Sequence, residues 1–221
     1  MVRFPAVSEG LLPTHCRRSA VPSSYGSDLK EWKVLFIVGG AARSGKTLLA
    51  RRMLNEGHVA WFSLDALRAG LTKGAPGLGL DFDRDDLEEG DRLWPIVREI
   101  ITSILRDDFP YLLESSCLRP SSVADLMGRV RDGAIRPLFL GYPELNAHEK
   151  LSQIAANGIG GNDWFSSLTD PDKLEHVNRM IKDSRTIRAD CNASGMKFFD
   201  TGRDFEKVQI DAFNYLRRDA W

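Results

Sequence analysis

Short apolar runs recur along the middle of this chain, and most are followed by a stretch with helical spacing. The first, residues 34–38 (VLFIV), has no polar interruption, which suits a strand buried on both faces of a parallel sheet. A glycine-bearing turn follows, then 48–54 (LLARRML), which is rich in helix formers and has an apolar face. Residues 58–63 (HVAWFS) predict a second strand, 64–69 a helix, and 73–80 (KGAPGLGL) a loop. From 85 to 105, Leu87, Leu93, Ile96, Val97, Ile100, Ile101 and Ile104 trace the stripe of a long amphipathic helix, with Pro95 as a point of kinking or division. Residues 111–114 predict a third strand, and 121–131 a helix capped by Ser121 or Ser122. A fourth strand at 135–141 (IRPLFLG), a fifth at 197–199 and a closing helix at 204–217 complete the series. Such alternation implies α/β architecture: a five-stranded parallel sheet with helices on both faces.

The rhythm fails in two places. Residues 1–28 hold three prolines, two glycines and several serines, and read as an irregular N-terminal arm carrying Arg3, Arg17 and Arg18. Residues 143–184 interrupt the strands with PELNAHEK, a polar loop at 157–163 (NGIGGND), Trp164 and Phe165, and a helical segment at 171–183. An insertion between the fourth and fifth strands is a natural place for a mobile lid, here 143–188 within a domain spanning 29–221.

Composition narrows the class without naming it. At 221 residues, 43% apolar and 28% charged, the chain can build one globular α/β domain with an appendage. Its net charge of −1 removes the footprint of a general nucleic-acid binder, yet leaves room for a local basic cleft. Cys16, Cys117 and Cys191 show no metal or disulfide spacing, read as small buried hydrophobes, and fit a reducing cytoplasm. No apolar run reaches membrane-spanning length and no signal-peptide stretch opens the chain. The pattern carries no signature of an oligomeric state.

Residues 40–47 (GAARSGKT) match the phosphate-binding pattern G-x-x-x-x-G-K-[ST] in full, in the strand–turn–helix setting the pattern requires. Gly40 and Gly45 permit a tight turn, and the backbone from Ala41 through Ala42, Arg43 and Ser44 can aim its N–H groups at an anion. The helix start adds partial positive charge there. Lys46 can reach the β- and γ-phosphates of a nucleotide, and the Thr47 hydroxyl can ligate Mg²⁺.

Other residues fall on the same rim, beyond the carboxyl ends of the strands. Asp65, in WFSLDALR, can take the proton of an attacking hydroxyl or cap a helix beginning at Ala66, and the two roles can coexist. Arg68, one turn on, suits a substrate anion or a surface salt bridge. Glu114 closes the third strand, where a carboxylate can order Mg²⁺ or meet substrate; Ser115 and Ser116 bind substrate or form the turn. Arg179, Lys182, Arg185 and Arg188 lie at near-helical spacing at the end of the lid. They either deliver charge to a transferring group, with Arg185 and Arg188 preferred, or form a solvated face. Residues 200–203 (DTGR) place Gly202 and Arg203 where a nucleotide base would lie, or form a plain turn. The acids from Asp81 to Asp91 lack a calcium-loop register and read as an acid-rich helix start. Trp61, Trp94 and Trp164 read as core or as an aromatic pocket wall.

Together, the phosphate loop, the Asp after the second strand, the acid-terminated third strand and the arginine-bearing insertion resemble the small P-loop kinases of the nucleoside monophosphate kinase-like group. SLDALR is similar to the corresponding segment of chloramphenicol phosphotransferase-like, zeta-toxin-like and polynucleotide kinase-like members. The long helix followed by YLLESSCLRP is similar to 2-phosphoglycerate kinase-like proteins, with Ser115 where that pattern has glycine. The resemblance spans 34 to about 216. It implies a P-loop NTPase three-layer sandwich with a helical lid, and transfer of the ATP γ-phosphate to a small-molecule hydroxyl. Lys46 would neutralise phosphate charge, Thr47 hold Mg²⁺, Asp65 orient or deprotonate the acceptor, and Glu114 act through the metal's water shell or on substrate. Arg185 and Arg188 would stabilise the transferring group. The rivals are a regulatory or switch-type ATPase with no small-molecule acceptor, a polynucleotide or toxin-type kinase, and a non-catalytic nucleotide-binding module. The chain has no N-K-x-D guanine motif, and its D-x-x-G at 125–128 falls in an expected helix. The near-zero net charge argues against nucleic acid, and an intact Lys46, Thr47 and Asp65 against a non-catalytic module.

Overall fold

The computed structural model describes residues 34–81, 84–107, 109–156 and 164–218, with Trp164 described in its backbone alone. The expected arm at 1–28 with Cys16, the polar loop 157–163 and the Trp164 side chain lie outside these residues. Strand β1 (Leu35–Gly40) is buried along its whole length between β3 (Tyr111–Ser115) and β4 (Ile135–Gly141). Strands β2 (Ala60–Ser63) and β5 (Phe198–Asp200) form the edges, giving the all-parallel order β2-β3-β1-β4-β5.

The two-residue period of a strand divides each apolar run between two cores. Leu35 and Ile37 of β1, Leu113 of β3, and Ile135 and Phe139 of β4 face one core, shared with helices α3 (Asp86–Ile104), α4 (Pro120–Met127) and α6 (Asp170–Ser194). Phe36, Val38, Leu112, Leu138 and Leu140 face the other, with α1 (Lys46–Gly57) and α7 (Phe205–Arg217). Each such side chain contributes about 1.5–3 kcal/mol relative to exposure, which is why these strands need unbroken apolar sequence. The result is the three-layer α/β sandwich expected. Its register pairs Val38 and Ser63 with Glu114, and Gly40 with Leu140. The carboxyl ends of β1 to β4 therefore share one rim, and β1 sits where the chain steps from one side of the sheet to the other.

Several boundaries differ from the sequence expectations for physical reasons. His58 (φ 52°) and Val59 close α1 by donating to Leu54 O and Met53 O, so β2 begins at Ala60. Helix α2 (Leu64–Gly74) extends into the glycine-rich stretch before a 3₁₀ turn at Pro76–Leu78. Pro95 does not divide α3: Leu87 before it and Val97 and Ile101 after it are buried in one core, and Asp85 caps the helix by accepting from Leu87 N and Glu88 N. Neither Ser121 nor Ser122 caps α4. Pro120 begins it at the position where a missing N–H does no harm, and Ser121 donates from N and Oγ to Asp190 Oδ2 of α6, at 3.1 and 2.9 Å.

Helix α5 (Ala147–Ala156) was not anticipated; Asn146 and Glu149 open it with reciprocal 2.9 Å bonds from each backbone N–H to the other's side chain. Helix α6 runs 25 residues, from a Thr169 cap to a left-handed Gly195, and is longer than 171–183 because the turns beyond 183 bury Ser184, Ile187 and Cys191. Cys117 and Cys191 are free and buried, and burial pushes both thiols up to about 12. Among the described residues no helix is long and apolar enough to cross a membrane.

Candidate active site

The loop between β1 and α1 is shaped by close approach. Gly40 has φ 135°, and a Cβ there would lie 2.0 Å from Leu140 O; at Gly45, φ 95°, it would lie 2.4 Å from Gln209 Nε2. Arg43 (φ 59°) is left-handed without being glycine. Three side chains hold successive loop carbonyls: Lys46 Nζ donates to Ala41 O (2.9 Å), Tyr142 OH to Ala42 O (2.5 Å) and Lys150 Nζ to Arg43 O (3.0 Å). Among the described residues, α1 has no side-chain cap, no acid in its first turn, and beside it a fully buried Ser44 hydroxyl without a hydrogen-bond partner. A helix start with uncapped N–H groups, an unpaired buried hydroxyl and two lysines is chemically suited to an anion.

Beside it, Glu114 is 3% exposed. Its Oε1 accepts from Thr47 Oγ1 at 3.5 Å, while Oε2 is buried with no hydrogen-bond partner among the described residues. Burial raises its pKa, Asp65 adds to the rise, and Lys46 opposes it. A carboxylate oxygen left this way beside a hydroxyl fits a divalent cation. Among the described residues no three His, Cys, Asp or Glu converge on a point. A cation here would take one or two protein oxygens and complete its shell from phosphates and water, as Mg²⁺ does.

Asp65 does not cap a helix starting at Ala66. α2 begins at Leu64, and Asp65 Oδ1 instead accepts from Ser115 Oγ (2.6 Å) and Ser116 N (3.3 Å) at the end of β3. Ser115 Oγ in turn accepts from Cys117 N (2.9 Å), so a fully buried serine fixes the carboxylate from across the rim.

A cavity of 570 Å³ opens between Ala42 of the loop, Asp65 and Arg68 of α2, Asp85 and Asp86 at the start of α3, Ser116 after β3, and Arg179 and Asp183 of α6. Arg68 is 7% exposed and pairs with Asp86 Oδ1 at 2.7 Å and Cys117 Sγ at 3.0 Å, so its ion pair lies inward rather than on the surface. Asp183 is pushed up to about 7, first by burial and then by Asp85 and Asp86. Arg179 donates to His176 Nδ1 (2.8 Å) and has no acidic partner among the described residues.

Of the candidate residues, the structure brings together 40–47, Asp65, Arg68 and Glu114. Arg185 donates to Pro143 O (2.9 Å) and Arg188 pairs with Glu144, so both tie α6 to the segment after β4, and neither lines the cavity. Gly202 is buried, donating to Asp200 Oδ1 (2.8 Å) and accepting from Gln153 Nε2 (2.7 Å), while Arg203 is exposed. The adjoining start of α7 packs Phe205 and Gln209 against Gly45. Sequence reasoning passed over Tyr142, Lys150 and Asp183. Only Lys150 had a signal: N-x-x-E at 146–149 opens a helix whose next residue is Lys150.

No family model matches the sequence, and no curated protein is similar to it. Solved structures do match. A gluconokinase from Sinorhizobium meliloti 1021 is 16% identical over 86% of this chain and 94% of its own, with a TM-score of 0.52. A shikimate kinase from Bacteroides thetaiotaomicron is 10% identical over 84% of this chain and 97% of its own, with a TM-score of 0.50. The likeness is one of fold: a five-stranded parallel sheet flanked by helices, as in P-loop kinases.

Proposed function

We propose that this protein is an ATP-dependent phosphotransferase that moves the γ-phosphate to a hydroxyl of a small molecule. The observation that carries this reading is the shared cavity: Ala42 of the anion-binding loop and Asp65 line the same 570 Å³ space. A volume of that size takes a small molecule, and its two walls offer a phosphate site and a proton acceptor. The fold shared with a gluconokinase and a shikimate kinase supports a small hydroxylated acceptor over a polynucleotide.

In this reading the loop N–H groups and Lys46 hold the β- and γ-phosphates. Thr47 and Glu114 hold Mg²⁺, which when bound neutralises charge on the phosphate oxygens. Asp65 is held through Oδ1 by Ser115 and Ser116, leaving Oδ2 to orient the acceptor hydroxyl and take its proton. Arg179, a guanidinium on the cavity wall with no acidic partner among the described residues, offers charge to the transferring group. Segment 143–188 acts as the lid, with Arg185 and Arg188 fastening its first residues to α6. Gly202 and Arg203 flank the base.

The test is ADP release from ATP and Mg²⁺ with a library of sugars, nucleosides, antibiotics and hydroxy acids. The reading expects stimulation by an acceptor, abolished in Lys46→Ala and lowered about 10²–10⁴-fold in Asp65→Asn. Hydrolysis that no acceptor stimulates and that survives Asp65→Asn would replace it with a regulatory ATPase.

A further inference from the structure

Three cations converge on the phosphate loop where the sequence motif accounts for one. Besides Lys46, Arg43 places its guanidinium 4.5 Å over the Phe165 ring, and Lys150 of α5 reaches the loop from the far side. Lys150 is 6% exposed, its Nζ lies 3.8 Å over the Tyr142 ring, and it donates to the carbonyl of left-handed Arg43. A buried ammonium is ordinarily paired with a carboxylate. Among the described residues Lys150 has no such partner; the charged groups acting on it are Arg43 and Lys46, both of its own sign. The Tyr142 phenol, pushed up first by burial and then by Asp183 of α6, stays neutral, and on α5 itself His148 is exposed and the exposed Glu149 carboxylate accepts from Asn146 N. Three cations this close, with no carboxylate pairing Lys150 among the described residues, suit an anion.

We propose that Lys150 is a second lysine of the phosphate site, a positioning residue that fixes the loop through the Arg43 carbonyl and takes up a proton when a nucleotide polyphosphate binds. The inference rests on the reading of the loop as a nucleotide site and adds a residue outside the motif. The balance is simple: without ligand, burial and two neighbouring cations hold Lys150 down at about 8, so near that pH the amine is about half protonated. Phosphate oxygens supply the missing negative charge, and the amine takes a proton from buffer to become ammonium.

The experiment is calorimetric titration of ADP, without Mg²⁺, into the full chain at pH 8 in two buffers of different ionisation enthalpy. At that pH the ADP phosphates carry no titrating proton. Wild type is expected to take up about half a proton per ADP bound, and its affinity to fall up to about tenfold between pH 7 and pH 9. Lys150→Arg keeps the donor and a permanent charge, so it should bind ADP with no proton uptake and a flat pH profile. Lys150→Met should also lose the uptake and bind at pH 7 about as weakly as wild type does at pH 9. Binding of ADP by wild type without proton uptake, or uptake that persists in Lys150→Arg, would overturn the proposal and leave the nucleotide site intact. No ADP binding by wild type would overturn both.

Discussion

Replacing Gly90 by alanine sets two effects of opposite sign against each other. In a helix interior alanine is favoured over glycine by about 1 kcal/mol. Gly90, however, lies where α3 crosses the segment after β3, and a Cβ there would fall 1.8 Å from Cys117 O and 2.8 Å from Cys117 C. A relaxed carbon–oxygen contact is about 3.3 Å, so helix and segment must part by more than 1 Å. Overpacking of this kind costs about 1–3 kcal/mol, and the upper end applies because the obstacle is backbone that cannot rotate away. The net expectation is a loss of about 1–2 kcal/mol, or roughly 2–8 °C in Tm for a chain of this size. The damage should reach the site, because Cys117 N donates to Ser115 Oγ, which holds Asp65. Gly70 in α2 is the control: a Cβ there meets nothing within 4 Å, so Gly70→Ala should be neutral or stabilising by up to about 1 kcal/mol. Urea and thermal denaturation followed by circular dichroism give both values. A Gly90→Ala protein as stable as wild type would refute the argument that backbone approach outweighs helix propensity here.

Two further outcomes follow from the site. Ser115→Ala removes the donor at 2.6 Å from Asp65 and the acceptor for Cys117 N, so acceptor-stimulated kcat should fall by about tenfold while ATP affinity holds; an unchanged kcat in steady-state assays would show that Asp65 is placed by Ser116 alone. Asp183 is raised in the folded chain to about 7 from an unfolded value near 4, so the native state binds the extra proton and stability falls as pH rises through that window. Asp183→Asn should therefore flatten the slope between pH 4 and 7 and stabilise the protein at pH 7 by on the order of 1–3 kcal/mol, which urea midpoints across that range would check.

The conformation of the 40–47 loop was legible from sequence because its requirements are local. A left-handed turn at Gly45, a helix start and a lysine after it are fixed by eight neighbouring residues and need no partner to be recognised. The parallel sheet was legible for a similar reason, since strands buried on both faces must be apolar throughout. Asp65 and Glu114 could be placed on the rim because strand ends in such a sheet share one edge. Of the two readings of Pro95, division of the helix gave way to core burial on both sides of the proline, and the capping role expected of Ser121 gave way to Asp190 from a distant helix.

What the chain's order could not show is convergence across long sequence separations. Lys150 meets Arg43, Tyr142 meets Ala42, Ser115 meets Asp65, and Asp183 meets the start of α3 only after the sheet and α6 have packed. The same packing turned Arg185 and Arg188 toward Pro143 and Glu144 and left Arg179 on the cavity wall, though all three carry the same charge at helical spacing on one helix. Charge and spacing name the cations; only the rotation of α6 against the sheet, fixed by burying Ile181, Ile187 and Cys191, decides which of them faces the site.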